Sequence, residues 1–313
     1  MKLYRIIRRP PFFLRSSYWM PKRENPVKSS PNARLPIIIP TLLIQYGSLK
    51  AKLIGFRTVV KSLWISLKEM YKSASQLKKS PEEGQKLIDA ATLQELESYA
   101  KKLGISKIGY TKVNPDFIYR DFDILTDKVM ILAMEMDRDA IKTNPSEKAT
   151  KEIWRTYSVL GETVNKIAEF LRNKGYKCHP SPAIGGDIMT VPVAQDAGIG
   201  VVGKNGILIA PEFGPSMRLA AIFLDVDNLP IKTIEDNEHL WVRDFCETCN
   251  HCVKNCPGKA IYEETKIMKD GYPKFIDAEK CAPFFSKNCS KCISNCPFIM
   301  GNYYKIKETY FTR

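Results

Sequence analysis

The chain has 313 residues, 44% of them hydrophobic, an ordinary content for a soluble protein and enough for a substantial core in one or two domains. Its net charge of +14 is uneven: residues 1–80 hold 17 Lys and Arg against Glu24 and Glu69 alone, while the remainder holds 31 basic and 32 acidic residues. A uniformly basic protein is thereby excluded. The positive charge belongs to an N-terminal arm suited to an anionic surface, whether lipid headgroups or nucleic acid.

Within that arm, Arg8-Arg9 invites an export reading, but Pro10-Pro11 and Arg15 follow, with no long apolar core and no small-residue cleavage site. A cytoplasmic protein is therefore expected. Residues 35–44 are apolar but broken by Pro36 and Pro40, well short of the ~20 residues that span a bilayer. Over residues 50–72, Leu53, Phe56, Val60, Leu63, Leu67 and Met70 recur at helical spacing. Lys50, Lys52, Arg57, Lys61, Lys68 and Lys72 fall mostly elsewhere around the wheel, and Trp64 lies near the middle. Such a helix either rests on the inner face of a membrane as a peripheral contact or packs its stripe on the body. The sequence leaves both open.

Behind the arm, Ser80-Pro81-Glu82-Glu83 opens one expected helix, and a second runs over residues 93–103 with Gly104 placed to end it. Residues 105–113 and 128–136 read as strands, the second apolar enough to be buried. Asn144-Pro145-Ser146 starts a long helix reaching about Arg172, closed by Gly175. Its apolar line is Ile153, Tyr157, Leu160, Val164, Ile167 and Leu171, at steps of four and three. Alternation of this kind argues for an α/β body.

A glycine-rich passage follows, from Gly185-Gly186-Asp187 to Gly198-x-Gly200-x-x-Gly203-Lys204-Asn205. The three spaced glycines match a dinucleotide fingerprint, which must leave a strand and open a helix. Here a helix precedes and the strand-like residues 207–210 follow, so that reading is rejected. Glycines do allow backbone to approach a large flat ligand closely. Residues 219–224 form another core strand.

Eight of the nine cysteines fall in the last quarter of the chain. Cys246, Cys249, Cys252 and Cys256-Pro257 follow the C-x2-C-x2-C-x3-C-P run of bacterial ferredoxins. Cys281, Cys289, Cys292 and Cys296-Pro297 repeat the ending with the first ligand displaced upstream. In two-cluster ferredoxins the fourth cysteine of a run serves the other cube. That rule assigns one [4Fe–4S] cluster to Cys246, Cys249, Cys252 and Cys296, and a second to Cys256, Cys281, Cys289 and Cys292. Zinc also takes four thiolates at this spacing, but it needs neither the paired Cys-Pro endings nor eight cysteines. Disulfides would need an oxidising compartment. Cys178, beside His179, stands apart as an incidental or buried thiol, and His251 is placed near the first cluster without being a ligand to it.

The run from Gly185 to Pro215, ending in Arg218-Leu219, resembles the corrinoid-binding region of reductive dehalogenases. Residues 134–142 and Tyr157-Ser158 resemble that family too, and with the cysteine runs the likeness covers roughly residues 85–300. Epoxyqueuosine reductases share the architecture and the Gly-Lys-Asn segment, but the Asp-x-Gly-Pro-x-x-Glu-Arg stretch associated with them is absent. The resemblance implies a nitroreductase-like α/β corrinoid domain followed by a ferredoxin-like dicluster domain. It also implies a base-off cobalamin beside the clusters. The chain agrees by omission, having only His179, His239 and His251 and no Asp-x-His-x-x-Gly segment. By position in the family, Tyr157 matches the tyrosine that protonates the substrate carbon and Lys204 the basic residue stabilising its phenolate. Gly185, Gly186, Asp187, Gly198, Gly200, Gly203 and Asn205 are the expected cofactor-binding set.

The expected organisation is an arm over residues 1–80, a corrinoid-binding catalytic domain over 81–240 and the dicluster domain over 241–313. The expected activity is reductive removal of a leaving group, halide among them, from a small organic molecule, fed by a low-potential electron donor. Two alternatives stay open: an epoxyqueuosine-type reductase acting on tRNA, and a dicluster electron carrier docked at a membrane.

Overall fold

The computed structural model describes residues 16–20, 25–31, 33–34, 49–267, 273–285 and 287–312. Arg8-Arg9 and the apolar residues 35–44 lie outside these. In chain order the body comprises α1 (Leu49–Ser75), α2 (Ala90–Lys102), β1 (Lys107–Lys112), β2 (Lys128–Glu135) and α3 (Glu147–Asn173). Then come β3 (Cys178–Ser181), α4 (Thr190–Asp196), the short pair β4 (Val201–Val202) and β5 (Leu208–Ile209), and β6 (Met217–Leu224). The four longer strands form a sheet in the order β1-β2-β6-β3, with every neighbouring pair antiparallel. The fold is mixed α/β.

Strand β2 shows why the sheet is central. Successive side chains of a strand face opposite ways, and here both sets are apolar. Met130, Leu132 and Met134 pack with Leu160, Val164, Ile167 and Leu171 of α3 and with Leu96 and Ala100 of α2. Val129, Ile131 and Ala133 meet Val193, Ala194 and Ala197 around α4 on the other face. Helix α3 starts where its sequence signal stands: the Ser146 side chain accepts a hydrogen bond from the Ala149 amide at 3.0 Å, satisfying a donor of the first turn.

No helix follows Ser80-Pro81-Glu82-Glu83. That stretch is instead strapped to the body: the Gln85 amide donates to the Gly175 carbonyl at 3.0 Å, and the Asp227 amide to the Lys86 carbonyl at 2.7 Å. Gly84 lies so close to Lys177 that a Cβ there would come within 2.6 Å of the lysine's own Cβ. Tertiary pairing overrides the local start signal. The helix that forms is α2, capped by Asp89, whose carboxylate accepts from the Thr92 amide at 2.8 Å.

The arm is in part built into the body. Val27–Lys28 pairs with Asp123–Ile124, and the Arg120 amide donates to the Arg34 carbonyl at 2.8 Å. Helix α1 lies along α3, but not through the apolar line read from the sequence. Val59, Ser66, Met70, Ser73 and Ala74 are buried, whereas Val60 and Leu67 are exposed. The buried face is set by a polar knot. Asn165 of α3 donates to the Glu69 carbonyl at 3.0 Å and to its carboxylate at 2.9 Å, and accepts from the Ser73 hydroxyl at 3.0 Å. Gly161 makes room for Glu69, whose Cβ would sit 3.2 Å from an added Cβ. Asn165→Ala would take the side-chain donor away from the buried Glu69 carboxylate, while Ser73 keeps its bond to the Glu69 carbonyl. The expected cost is about 2–3 kcal/mol, to be read as a lower urea midpoint with an unchanged denaturant slope.

The C-terminal part runs α5 (Trp241–Cys249), α6 (His251–Lys254), an antiparallel hairpin of β7 (Ile261–Ile267) and β8 (Pro273–Ile276), α7 (Ala278–Phe285), α8 (Lys291–Ser294) and α9 (Tyr303–Phe311). It is locked to the body rather than tethered. Trp241, Phe298 and Tyr303 pack with Val201 and Ile209 of the short strand pair. The Asn237 side chain donates to the Gln195 and Gly200 carbonyls at 2.7 and 2.9 Å. Asn144, just before α3, donates to the Asn288 carbonyl and accepts from the Ser290 amide, at 2.7 and 2.6 Å.

Candidate active site and metal centres

The cysteines fall into two spatial groups. Cys246, Cys249, Cys252 and Cys296 line one small cavity together with Ile209, Phe245 and Phe298. Cys246 and Cys249 sit at the end of α5, and Cys252 sits on α6 beyond a turn at Asn250, which takes a left-handed φ of 51°. Cys296, from the second run, crosses back to join them. Burial above all, with the neighbouring Cys249 and Cys252 adding to it, pushes the Cys246 thiol up to about 12. Burial also raises Cys296, with Cys246, Cys252 and Cys249 adding to it. In the other group, burial raises Cys281, and Cys256 and Cys289 add to the effect. Cys292 is pushed up to about 12 by burial, then by Cys281, Cys252, Cys289 and Cys256.

Buried thiolates so crowded need a cationic group between them, which is what iron supplies. Among the described residues no three Cys, His, Asp or Glu side chains converge on a single-ion point. The first four thiols instead share the lining of one small cavity. Backbone donors are already aimed at sulfur, with the Ala260 amide 3.3 Å from Cys256 Sγ.

Against the first thiol group lies a larger cavity of about 660 Å³, within the ~300–1,000 Å³ of small-molecule and cofactor sites. It is lined by Phe117, Tyr119 and Met189 to Pro192 at the start of α4, and by Arg243, Cys246 and Glu247 of α5. Thr265, Pro273 and Phe275 of the β7–β8 hairpin close one side, and Arg34 of the arm reaches in. Cys246 and Lys204 line both cavities. No histidine lines the larger one. His179 is buried against Asp187, Nε2 to Oδ2 at 3.2 Å, and His239 Nδ1 is 2.9 Å from the Tyr303 hydroxyl. His251 lines only the thiol cavity. The lining is predominantly apolar, as cofactor sites are.

Tyr157 and Lys204 have separate polar partners, and of the two Lys204 alone lines the larger cavity. Lys204 is buried and reaches toward α5, with Nζ 2.9 Å from Asn250 Oδ1 and 3.0 Å from Glu247 Oε2. The cation at Tyr157 is Arg218, on β6. Its Nη1 donates to the Tyr157 hydroxyl at 2.9 Å, and its Cζ stands 3.8 Å from the tyrosine ring centroid. Tyr119 sits nearby: burial raises its phenol, the Tyr157 phenol adds to this, and Arg34 opposes it. Arg218 was visible only as the end of the glycine-rich run. Nothing in the spacing said that β6 would deliver it to α3.

The glycine-rich residues mostly pack the protein against itself. A Cβ at Gly185 would fall 2.0 Å from Met70 Sδ of α1, and one at Gly200 would fall 2.3 Å from the Ile209 carbonyl oxygen. Gly186, Asp187, Gly198 and Gly203 do not line the larger cavity either; Gly206 does. Asn205 lines the thiol cavity and donates to the Cys292 carbonyl at 3.2 Å. The larger cavity is lined instead by the start of α4, Tyr119 and the hairpin. Cys178 is fully buried, donates to the Ala168 carbonyl at 3.4 Å, and is pushed up to about 11 by burial, an inert structural thiol.

The chain is similar to proteins of two groups, reductive dehalogenases and epoxyqueuosine reductases. It is 33% identical over 210 residues to tetrachloroethene reductive dehalogenase of Desulfitobacterium hafniense, covering 62% of this chain and 36% of that protein. It is 24% identical over 273 residues to epoxyqueuosine reductase of Listeria monocytogenes, covering 72% and 69%. The solved structure of a catabolic reductive dehalogenase shares the fold, with a TM-score of 0.62 and 19% identity over 74% of this chain and 36% of that one. The chain thus spans about a third of the length of the dehalogenases it matches. No protein-family model matches it.

Proposed function

We propose that the chain is a corrinoid- and iron–sulfur-dependent reductase of the reductive-dehalogenase type. Residues 81–240 would form its nitroreductase-like catalytic domain and residues 241–313 its ferredoxin-like dicluster domain. The observation that carries the reading is the 660 Å³ cavity that shares Cys246 and Lys204 with a four-thiol site and has Tyr119 in its lining. A plain electron carrier has no use for such a void.

In this reading Cys246, Cys249, Cys252 and Cys296 hold one [4Fe–4S] cluster, and Cys256, Cys281, Cys289 and Cys292 hold the other. The cavity would hold a base-off cobalamin, with Tyr119, Met189 to Pro192, Cys246 and Phe275 among the residues lining it. When bound there, the corrin would supply low-valent cobalt chemistry, with electrons reaching it singly by way of the clusters. The chain's own residues handle the proton. Tyr157 donates from its hydroxyl to the substrate carbon, and Arg218, hydrogen-bonded to that oxygen, holds the charge left on it. The balance is R–X plus two electrons and one proton giving R–H and X⁻, with the electrons from a low-potential donor.

Similarity to the Listeria reductase over 69% of its length keeps a tRNA-modifying activity as the second reading. The two separate on one experiment. Reconstituted protein is incubated anaerobically with titanium(III) citrate and either a panel of small organohalides or epoxyqueuosine-containing tRNA. Halide release matched by C–H formation supports the proposal. Consumption of the tRNA substrate without halide release overturns it.

A further inference from the structure

The outward face of α1 carries a second pattern, opposite its contact with α3. Val60, Trp64, Leu67 and Tyr71 recur at steps of four and three and are 40%, 71%, 37% and 48% exposed. They form one line along the helix. Arg57, Lys61, Lys68 and Lys72 run beside it on a single flank, within roughly a third of a turn of its centre. The only acid of this 27-residue helix, Glu69, is turned inward onto Asn165. The outward face is therefore apolar and positive, with no compensating carboxylate of its own. It continues beyond the helix end, where Trp19 stands edge-on to Tyr71 at 5.7 Å and Lys78 lies 4.4 Å from the Trp19 ring.

We propose that this face docks α1 flat on an anionic phospholipid bilayer, with Trp64 at headgroup level. An apolar line bordered by lysines and marked by an aromatic is what an interfacial helix presents to lipid. Nucleic acid is disfavoured, because Val60 and Leu67 offer neither a stacking plane nor a hydrogen bond to a base. An antiparallel pair of copies would set the two basic rows side by side. The helix lies on the membrane and does not cross it, since none of the described helices is long and apolar enough to do so.

The test uses the full chain with vesicles of phosphatidylglycerol and phosphatidylcholine, compared with vesicles of phosphatidylcholine alone. Co-sedimentation with the anionic vesicles is expected, falling with salt, and roughly 30-fold weaker in Lys61→Gln/Lys68→Gln. Trp64→Ser is expected to weaken it as well. Both variants change exposed side chains only, so thermal unfolding should match the wild type. The Trp64 contribution, taken as the difference from Trp64→Phe, should shift to the blue and lose acrylamide quenching only when anionic vesicles are added. Three outcomes overturn the proposal: equal partition to neutral vesicles, a Trp64 already shielded without lipid, or dimerisation lost in Trp64→Ser with no vesicle binding.

Discussion

Tyr157→Phe is expected to lower reductive turnover by about 1,000-fold, within the range for loss of a positioned general acid, while iron and corrin content stay unchanged. The aromatic ring and its packing remain, and only the hydroxyl, with its proton and the hydrogen bond it accepts from Arg218, is lost. Arg218→Met should fall by a comparable factor, because the guanidinium both donates to the tyrosine oxygen and lies over the ring. The double variant should be little worse than either single one, as for two groups acting as a unit. Lys204→Met should behave differently, since its ammonium faces Glu247 and Asn250 beside the first thiol group. It should alter the spectrum of that cluster before it alters proton delivery. Normal turnover in Tyr157→Phe, measured as product per corrin, would remove the tyrosine from the mechanism.

A second large effect separates the cysteine runs from the clusters they serve. Cys296→Ala is expected to cut iron from about eight to about four per chain. The cluster lost should be the one bounded by Cys246, Cys249 and Cys252, although Cys296 belongs by sequence to the other run. Cys256→Ala should remove the opposite cluster, leaving the Cys246 group loaded. Iron and sulfide analysis with low-temperature electron paramagnetic resonance of each reduced variant distinguishes them. Loss of the Cys281–Cys292 cluster in Cys296→Ala would mean that each run serves itself.

The sequence was most readable where the chain's own period decides burial. The unbroken apolar run of β2 and the Ser146 cap of α3 both announce what they become, because a strand buried on two faces and a helix start have local signatures. The crossing of Cys296 to the first thiol group was legible for a chemical reason, the geometry of two adjacent cubes. Readings that depended on distant partners fared worse. Helix α1 buries Ser66, Glu69 and Ser73 and exposes Trp64, because Asn165 of α3 offers hydrogen bonds that a hydrophobicity wheel cannot register. Gly185 and Gly200 looked like a cradle for a ligand, but they accommodate Met70 and the Ile209 backbone. The β7–β8 hairpin that closes the larger cavity had no signal distinguishing it from linker between cysteine runs. The pairing of Tyr157 with Arg218 joins α3 to β6 across 61 residues of chain and follows from sheet order alone.

The central claim is that the cavity beside Cys246 holds a corrin ring, and its most direct measurement is the corrin-to-iron ratio. Protein reconstituted anaerobically with iron, sulfide and cobalamin is desalted and assayed, beside a Val191→Trp variant that fills the cavity wall. About one corrin per eight irons is expected for the wild type, and eight irons without corrin for the variant. A fully iron-loaded wild type that retains no corrin, or a variant that retains as much as the wild type, would contradict the account.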